Sequence, residues 1–210
     1  MKLFVWGPAP NPRRVKMYLA EKGLTIPTED VGGEAATLRA DYKAKYPFAM
    51  VPMLELDDGT QIGEAMAICR YFENLHPTPA LMGTDAKSKA VIEMWERRAY
   101  EEGMIGASEV FRNTHPLFVD RSIAGHAEPM AQVSILVERG RKRVRHFFEM
   151  FDRQLATNVF TTGDQITVAD ITALCVVDFA RVLAKISIPD EHKYLTRWYS
   201  MMSARPSAKA

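Results

Sequence analysis

The stretch YPFAMVPMLELDDGTQIGEAMAICRYFE, residues 46–73, changes rhythm twice within one short span. Met53 to Leu56 is an apolar run, Asp57-Asp58-Gly59-Thr60 is a turn, and Gln61-Ile62 resumes the extended pattern. Asp-Gly supplies the positive φ that a tight hairpin needs, so the two runs read as antiparallel strands. From Glu64 to Leu75 the residues Met66, Ile68, Cys69 and Phe72 follow helical spacing. Two successive strands before a helix imply a mixed sheet, because a wholly parallel one would need a crossover between them.

Upstream, Lys2 to Trp6 is a short buried-type strand. Asn11 suits a helix N-cap and Pro12 the first helical position, with Val15, Tyr18, Leu19 and Lys22 along one side and Gly23 as the stop. Thr28 to Val31 reads as a second strand and Glu34 to Lys45 as a helix. The order β-α-β-α-β-β-α therefore fills residues 1–76. HPTPALMGTDAKSK, from His76 to Lys89, is rich in Pro, Gly and small polar residues, and places a linker at residues 77–88.

Residues 89–210 show only helical periodicity, as expected of an all-helical second domain. A long helix containing Val91, Met94, Trp95, Arg98 and Glu102 extends past Phe111, and a polar stretch from Asn113 to Glu128 follows. Val133, Leu136, Val137, Gly140, Val144, Phe147, Phe148, Phe151 and Leu155 form a regular apolar stripe, with Gly140 placed where two helices would cross closely. In Ile166-Thr167-Val168-Ala169-Asp170-Ile171, Thr167 and Asp170 form a capping box and Ile166 a staple. The helix so opened is apolar almost all round as far as Asp178, which belongs in a domain centre.

The 27 Lys and Arg residues balance 26 Asp and Glu. Such a chain has no net field to draw it onto nucleic acid or an anionic membrane, and the arginines between 139 and 145 read as a solvated helix face. No run approaches the roughly 18 apolar residues of a membrane span. Cys69 and Cys175 sit in apolar helical patterns without ligand-spaced partners, so they suggest neither a zinc site nor a disulfide framework and read as inert core thiols, and a reducing cytoplasm is the expected compartment.

Four pieces in order, NPRRVKMYLAEKGL, the stretch quoted first, MWERRAYEEG and GDQITVADITALCVVDFARV, resemble the soluble glutathione S-transferases, especially bacterial members, over practically the whole chain. The resemblance implies a thioredoxin-like glutathione-binding domain, a helical domain, a homodimer, and glutathione as co-substrate for a small hydrophobic electrophile. It implies that Val51, preceding a cis Pro52, offers its backbone to the cysteinyl part of glutathione, and that Glu64 faces the γ-glutamyl amino group. Asn11, beside the helix N-terminus, is either a simple cap or the group that steadies the thiolate; Arg13 or Arg14 adds positive charge there, or is taken up by solvent or an inter-domain salt bridge. Trp6, Tyr100, Met104 and Phe111 are placed to line the electrophile's pocket or to serve the core.

Two positions depart from the family pattern. Ala9 stands where many relatives carry the turn serine and redox relatives a cysteine, and Ala65 stands where a serine would hold the γ-glutamyl carboxylate, leaving only its backbone N–H. A hydrogen bond to a charged group contributes about 1.5–3 kcal/mol, so the missing hydroxyl weakens binding by roughly ten- to a hundredfold. A thiol of pKa about 8.5 lowered by two units needs about 2.7 kcal/mol of thiolate stabilisation. The alternative is a catalytically weak or inactive binding protein on the same scaffold, and a disulfide reductase is a third reading.

Overall fold

The computed structural model describes residues 1–126 and 128–210. Strand β1 (Lys2–Val5) lies between β2 (Thr28–Asp30), parallel to it, and β3 (Met53–Glu55), antiparallel, with β4 (Gln61–Gly63) at the edge in the order β2-β1-β3-β4. The hairpin forms where Asp57 to Thr60 predicts it, with Gly59 at φ 85° and Asp58 accepting from the Thr60 N–H at 2.9 Å. Alternation along β1 feeds two cores. Leu3 and Val5, with Leu54, face α1 (Pro10–Glu21) and α4 (Ala65–Leu75), while Phe4 packs with Met53, Tyr42 and Tyr46 on the other side. The result is a thioredoxin-like mixed sheet joined to a helical domain.

Helix α1 ends as Gly23 predicts. Gly23 adopts φ 67°, and the N–H groups of Gly23 and Leu24 return to Ala20 O and Leu19 O at 3.0 and 2.9 Å, satisfying carbonyls that the helix leaves open. Its start differs from expectation. Ala9, extended at φ −75° and ψ 134°, is the N-cap, so Pro10 takes the first position and Asn11 lies one residue inside the helix. The predicted helix over 34–45 is two short ones, α2 (Glu34–Thr37) and α3 (Ala40–Lys45), separated by Leu38 and an extended Arg39.

α5 (Ala86–Arg98) starts at a capping box of Asp85 and Ser88, within the stretch 77–88 expected to be linker. It continues without a break through a π-helical turn (Ala99–Met104) into α6 (Ile105–Thr114), the long helix foreseen. α7 (Ser134–Leu155) carries the apolar stripe and crosses α6 at Gly106 and Gly140: a Cβ on Gly140 would stand 2.5 Å from Gly106 O. Arg139 and Arg143 pair with Glu109 and Glu102 of the neighbouring helix and Lys142 with Glu138 of its own, yet Arg139, Lys142 and Arg145 stay exposed, so the basic run forms the solvated helix face expected. The polar stretch from Asn113 to Glu128 leads into α7; residue 127 within it lies outside the described residues.

The central α8 (Val168–Val182) is buried over most of its surface. Asp170 accepts from the Thr161 N–H and Oγ1, each at 2.7 Å, from the Thr167 N–H at 3.0 Å and Oγ1 at 3.1 Å, and from Trp198 Nε1 at 3.0 Å. The capping box is thus also a hub that holds α9 (Lys193–Ser203), a helix that the sequence reading had not resolved. A final 3-10 turn (Pro206–Lys209) packs back on α1.

Candidate functional site

The first turn of α1 is poor in donors. Pro10 and Pro12 have no N–H, the Ala9 N–H is taken by Trp6 O at 3.0 Å, and the Arg13 N–H by Ala9 O at 3.4 Å. Among the described residues this leaves the Asn11 N–H as the open backbone donor at the helix mouth. Asn11 is not a cap; its Oδ1 accepts from Arg14 Nη1 at 3.0 Å. A guanidinium only donates, so the atom facing it must be the amide oxygen, and Nδ2 is left without a protein partner among the described residues. The helix mouth therefore presents two N–H groups of one residue and the positive end of the dipole.

Arg14 is 3% exposed and Glu96 2%, and the two form a buried ion pair between the domains. Thr172 joins them, accepting from Arg14 Nε at 3.1 Å and donating to Glu96 Oε1 at 3.3 Å. Burial pushes the Glu96 carboxyl above its ordinary range, against the lowering influence of Arg14. Arg13 lies on the same helix but turns elsewhere. It pairs with Asp178 at 2.7 Å and donates to Ala208 O at 3.2 Å, so its guanidinium is engaged between domains rather than offered to an anion at the mouth.

The other arm of the candidate site is the segment before and after β3. The Val51–Pro52 bond is cis, Val51 is half-buried, and Pro52 is buried. Two non-glycine residues flank it at positive φ, Ala49 at 53° and Glu64 at 60°, conformations that cost about 1–3 kcal/mol each and persist where the surroundings impose them. Glu64 precedes α4, its side chain exposed, and the following Ala65 is buried. The Tyr46 hydroxyl fills the space over Gly63 that a Cβ would take. Burial raises the Tyr46 and Tyr100 hydroxyls, and the Glu64 charge acts on both in the same direction, opposed at Tyr100 by Arg14.

Of the four expected pocket residues, Tyr100 alone is tied to this region by direct contact. It sits in the π-helical turn, half-buried, with the Arg14 Cζ 5.2 Å and the Arg97 Cζ 5.8 Å from its ring centroid. Trp6 is half-buried and stacks its indole near Gly33. Met104, 2% exposed, is a core side chain with no surface for a pocket, the second of its two expected roles. Phe111 packs edge-on against Phe118 and Phe179 at 5.0 and 5.6 Å, an aromatic cluster rather than an open wall. Arg14, Glu96 and Thr172 form a connected group the sequence reading had not assembled. Its signal was an arginine four residues before Tyr18 on the buried face of α1, which demands a buried partner.

A separate cleft of about 420 Å³ opens between α4, the linker and α5, bordered by Met66, Arg70, Met82, Lys89 and Glu93; none of the expected site residues lines it. Among the described residues, no helix is long and apolar enough to cross a membrane.

Comparison with known proteins agrees with the architecture. The model of the glutathione S-transferase N-terminal domain matches residues 9–75, and that of the C-terminal domain matches residues 113–206. Glutathione S-transferase 2 of Saccharomyces cerevisiae is 33% identical over 203 residues, 95% of this chain and 84% of its own length. A glutathione S-transferase domain-containing protein of Marinobacter aquaeolei VT8 superposes with a TM-score of 0.90 at 34% identity, covering 99% of each chain. Gtt2 of Saccharomyces cerevisiae also superposes at 0.90, at 31% identity, over 100% of this chain and 99% of its own.

Proposed function

The chain belongs to the glutathione S-transferase family, and from that premise we propose that it joins the sulfur of glutathione to a small hydrophobic electrophile at the mouth of α1. The thiol gives up its proton to solvent, the thiolate forms a C–S bond, and the electrophile releases its leaving group with the bonding pair. Val51 and the cis Pro52 hold the cysteinyl backbone, Glu64 faces the γ-glutamyl ammonium group, and the Ala65 N–H receives the γ-glutamyl carboxylate. Tyr100 and Trp6 border the electrophile. The chain acts as a homodimer in a reducing cytoplasm, where the two buried cysteines stay reduced.

One observation carries the reading of the sulfur site. With both prolines silent as donors and no hydroxyl at Ala9, the Asn11 N–H and Nδ2 are the groups left to meet a sulfur anion at the start of α1. Two such donors and the dipole supply energy on the order of the 2.7 kcal/mol that a two-unit fall in thiol pKa requires.

Isothermal titration with glutathione is the first test, and heat of binding at millimolar ligand is expected. No heat at that concentration removes the transferase reading and leaves the inactive-scaffold alternative. Conjugation of an aryl halide, with no reduction of a disulfide substrate, is the expected activity; the reverse pattern makes the protein a reductase.

A further inference from the structure

The geometry points to Arg14 as the positioning residue that turns the amide of Asn11 toward the sulfur, an inference that rests on the proposed role of Asn11. The three edges of its guanidinium go to three elements. Nη2 meets Glu96 on α5, Nε donates to Thr172 on α8 at 3.1 Å, and Nη1 donates to Asn11 on α1 at 3.0 Å. The Tyr100 ring covers the group at 5.2 Å from Cζ. Two anchors in the helical domain therefore fix the plane of the fork, and its remaining edge holds the amide oxygen. An unheld asparagine can flip and present its oxygen, which would repel a thiolate; Arg14 removes that orientation because a guanidinium accepts nothing.

Stability alone does not call for this arrangement. A buried ion pair is often replaceable by apolar residues at no loss, so its retention here asks for another reason, and the contact with Asn11 provides one. Lysine cannot substitute, since a single ammonium has no planar fork with which to serve three directions. Glu96 is the charge in direct contact. The thiols of Cys69 and Cys175, which sense Arg14, stay neutral because burial pushes them up to about 12 and about 11.

The test is the thiol pKa of bound glutathione, read from the ultraviolet absorbance of the thiolate and from the pH profile of kcat/KM. Arg14→Lys keeps the charge opposite Glu96 and loses the fork. It is expected to raise the bound thiol pKa by about one unit, a tenfold loss of thiolate near neutrality, with the alkaline plateau of kcat/KM retained. Asn11→Ala should give the same rise, and the double variant no more than Asn11→Ala alone. A wild-type pKa in Arg14→Lys beside a raised one in Asn11→Ala overturns the positioning role. Additive shifts in the double variant also overturn it, since Arg14 would then act on sulfur directly. An unmoved pKa in Asn11→Ala sinks the reading of Asn11 itself. Should Arg14→Lys fail to fold, Thr172→Val removes one anchor only; a smaller rise in the same direction is expected, and no rise overturns the proposal.

Discussion

Ala65 stands at the first position of α4, 3% exposed, with its N–H at the helix start and no hydroxyl to add to it. Ala65→Ser is expected to tighten glutathione binding by about tenfold or more, measured by titration calorimetry, since a hydrogen bond to a carboxylate contributes about 1.5–3 kcal/mol. Unchanged affinity would mean that no γ-glutamyl carboxylate reaches this helix. The cysteines give a second prediction. Burial holds both thiols far above neutrality, at about 12 for Cys69 and about 11 for Cys175, so neither should react with a thiol reagent near pH 8 until the chain is denatured. Much at this scale was legible in advance: the Val51–Pro52 cis bond and the hydroxyl-free turn both follow from identities and resemblance. Asn11 was not, because a cap preference describes a residue's neighbours in sequence, whereas its oxygen is claimed by Arg14, whose own placement is set by Glu96 and Thr172 far along the chain.

Elements with strong local chemistry were the readable ones. The Asp-Gly hairpin, the Gly23 stop and the box of Thr167 and Asp170 each depend on groups within a few residues of one another. Helix α9 falls within the helical periodicity of residues 89–210, its buried face marked by Leu195, Trp198 and Met202, but its main tie, Trp198 to Asp170, is a contact between distant residues that no periodicity records. Asp170→Ala should accordingly cost more than a lost cap. It leaves the Thr161 N–H and Trp198 Nε1 unpartnered in the core, and a destabilisation of about 3–5 kcal/mol by chemical denaturation is expected. A value near 1 kcal/mol would reduce it to a cap. At the crossing of α6 and α7, Gly140→Ala would set a Cβ 2.5 Å from a backbone carbonyl that cannot swing away. About 1–3 kcal/mol of destabilisation is expected, measured the same way.

Across the whole molecule, α1 is the shared wall of the two domains. Arg13 ties it to Asp178, Arg14 to Glu96, and Glu21 near its end to Arg205 at 2.7 Å and to Ser207. Burial alone would raise the Glu21 carboxyl, but the bonds from Arg205 and Ser207 outweigh it and hold the group below the usual carboxylate range. A depressed carboxyl contributes stability that is present above its unfolded pKa of about 4.3 and is lost as pH falls through the lower folded value. Thermal stability should therefore fall more steeply on acidification in the native chain than in Glu21→Gln; parallel curves would deny the clasp a role. This clasp was invisible beforehand, since it joins residues near opposite ends of the chain, whereas the division into a mixed sheet and a helical domain followed from the change of periodicity near the linker.

The claim on which the functional account turns is that a thiolate is stabilised at the start of α1 by Asn11 and the helix, with neither hydroxyl nor thiol from the protein. Ultraviolet titration of glutathione bound to the wild-type chain measures it directly. The account predicts ionisation about two units below the free thiol's value of about 8.5; a bound thiol that titrates as it does in solution would contradict it.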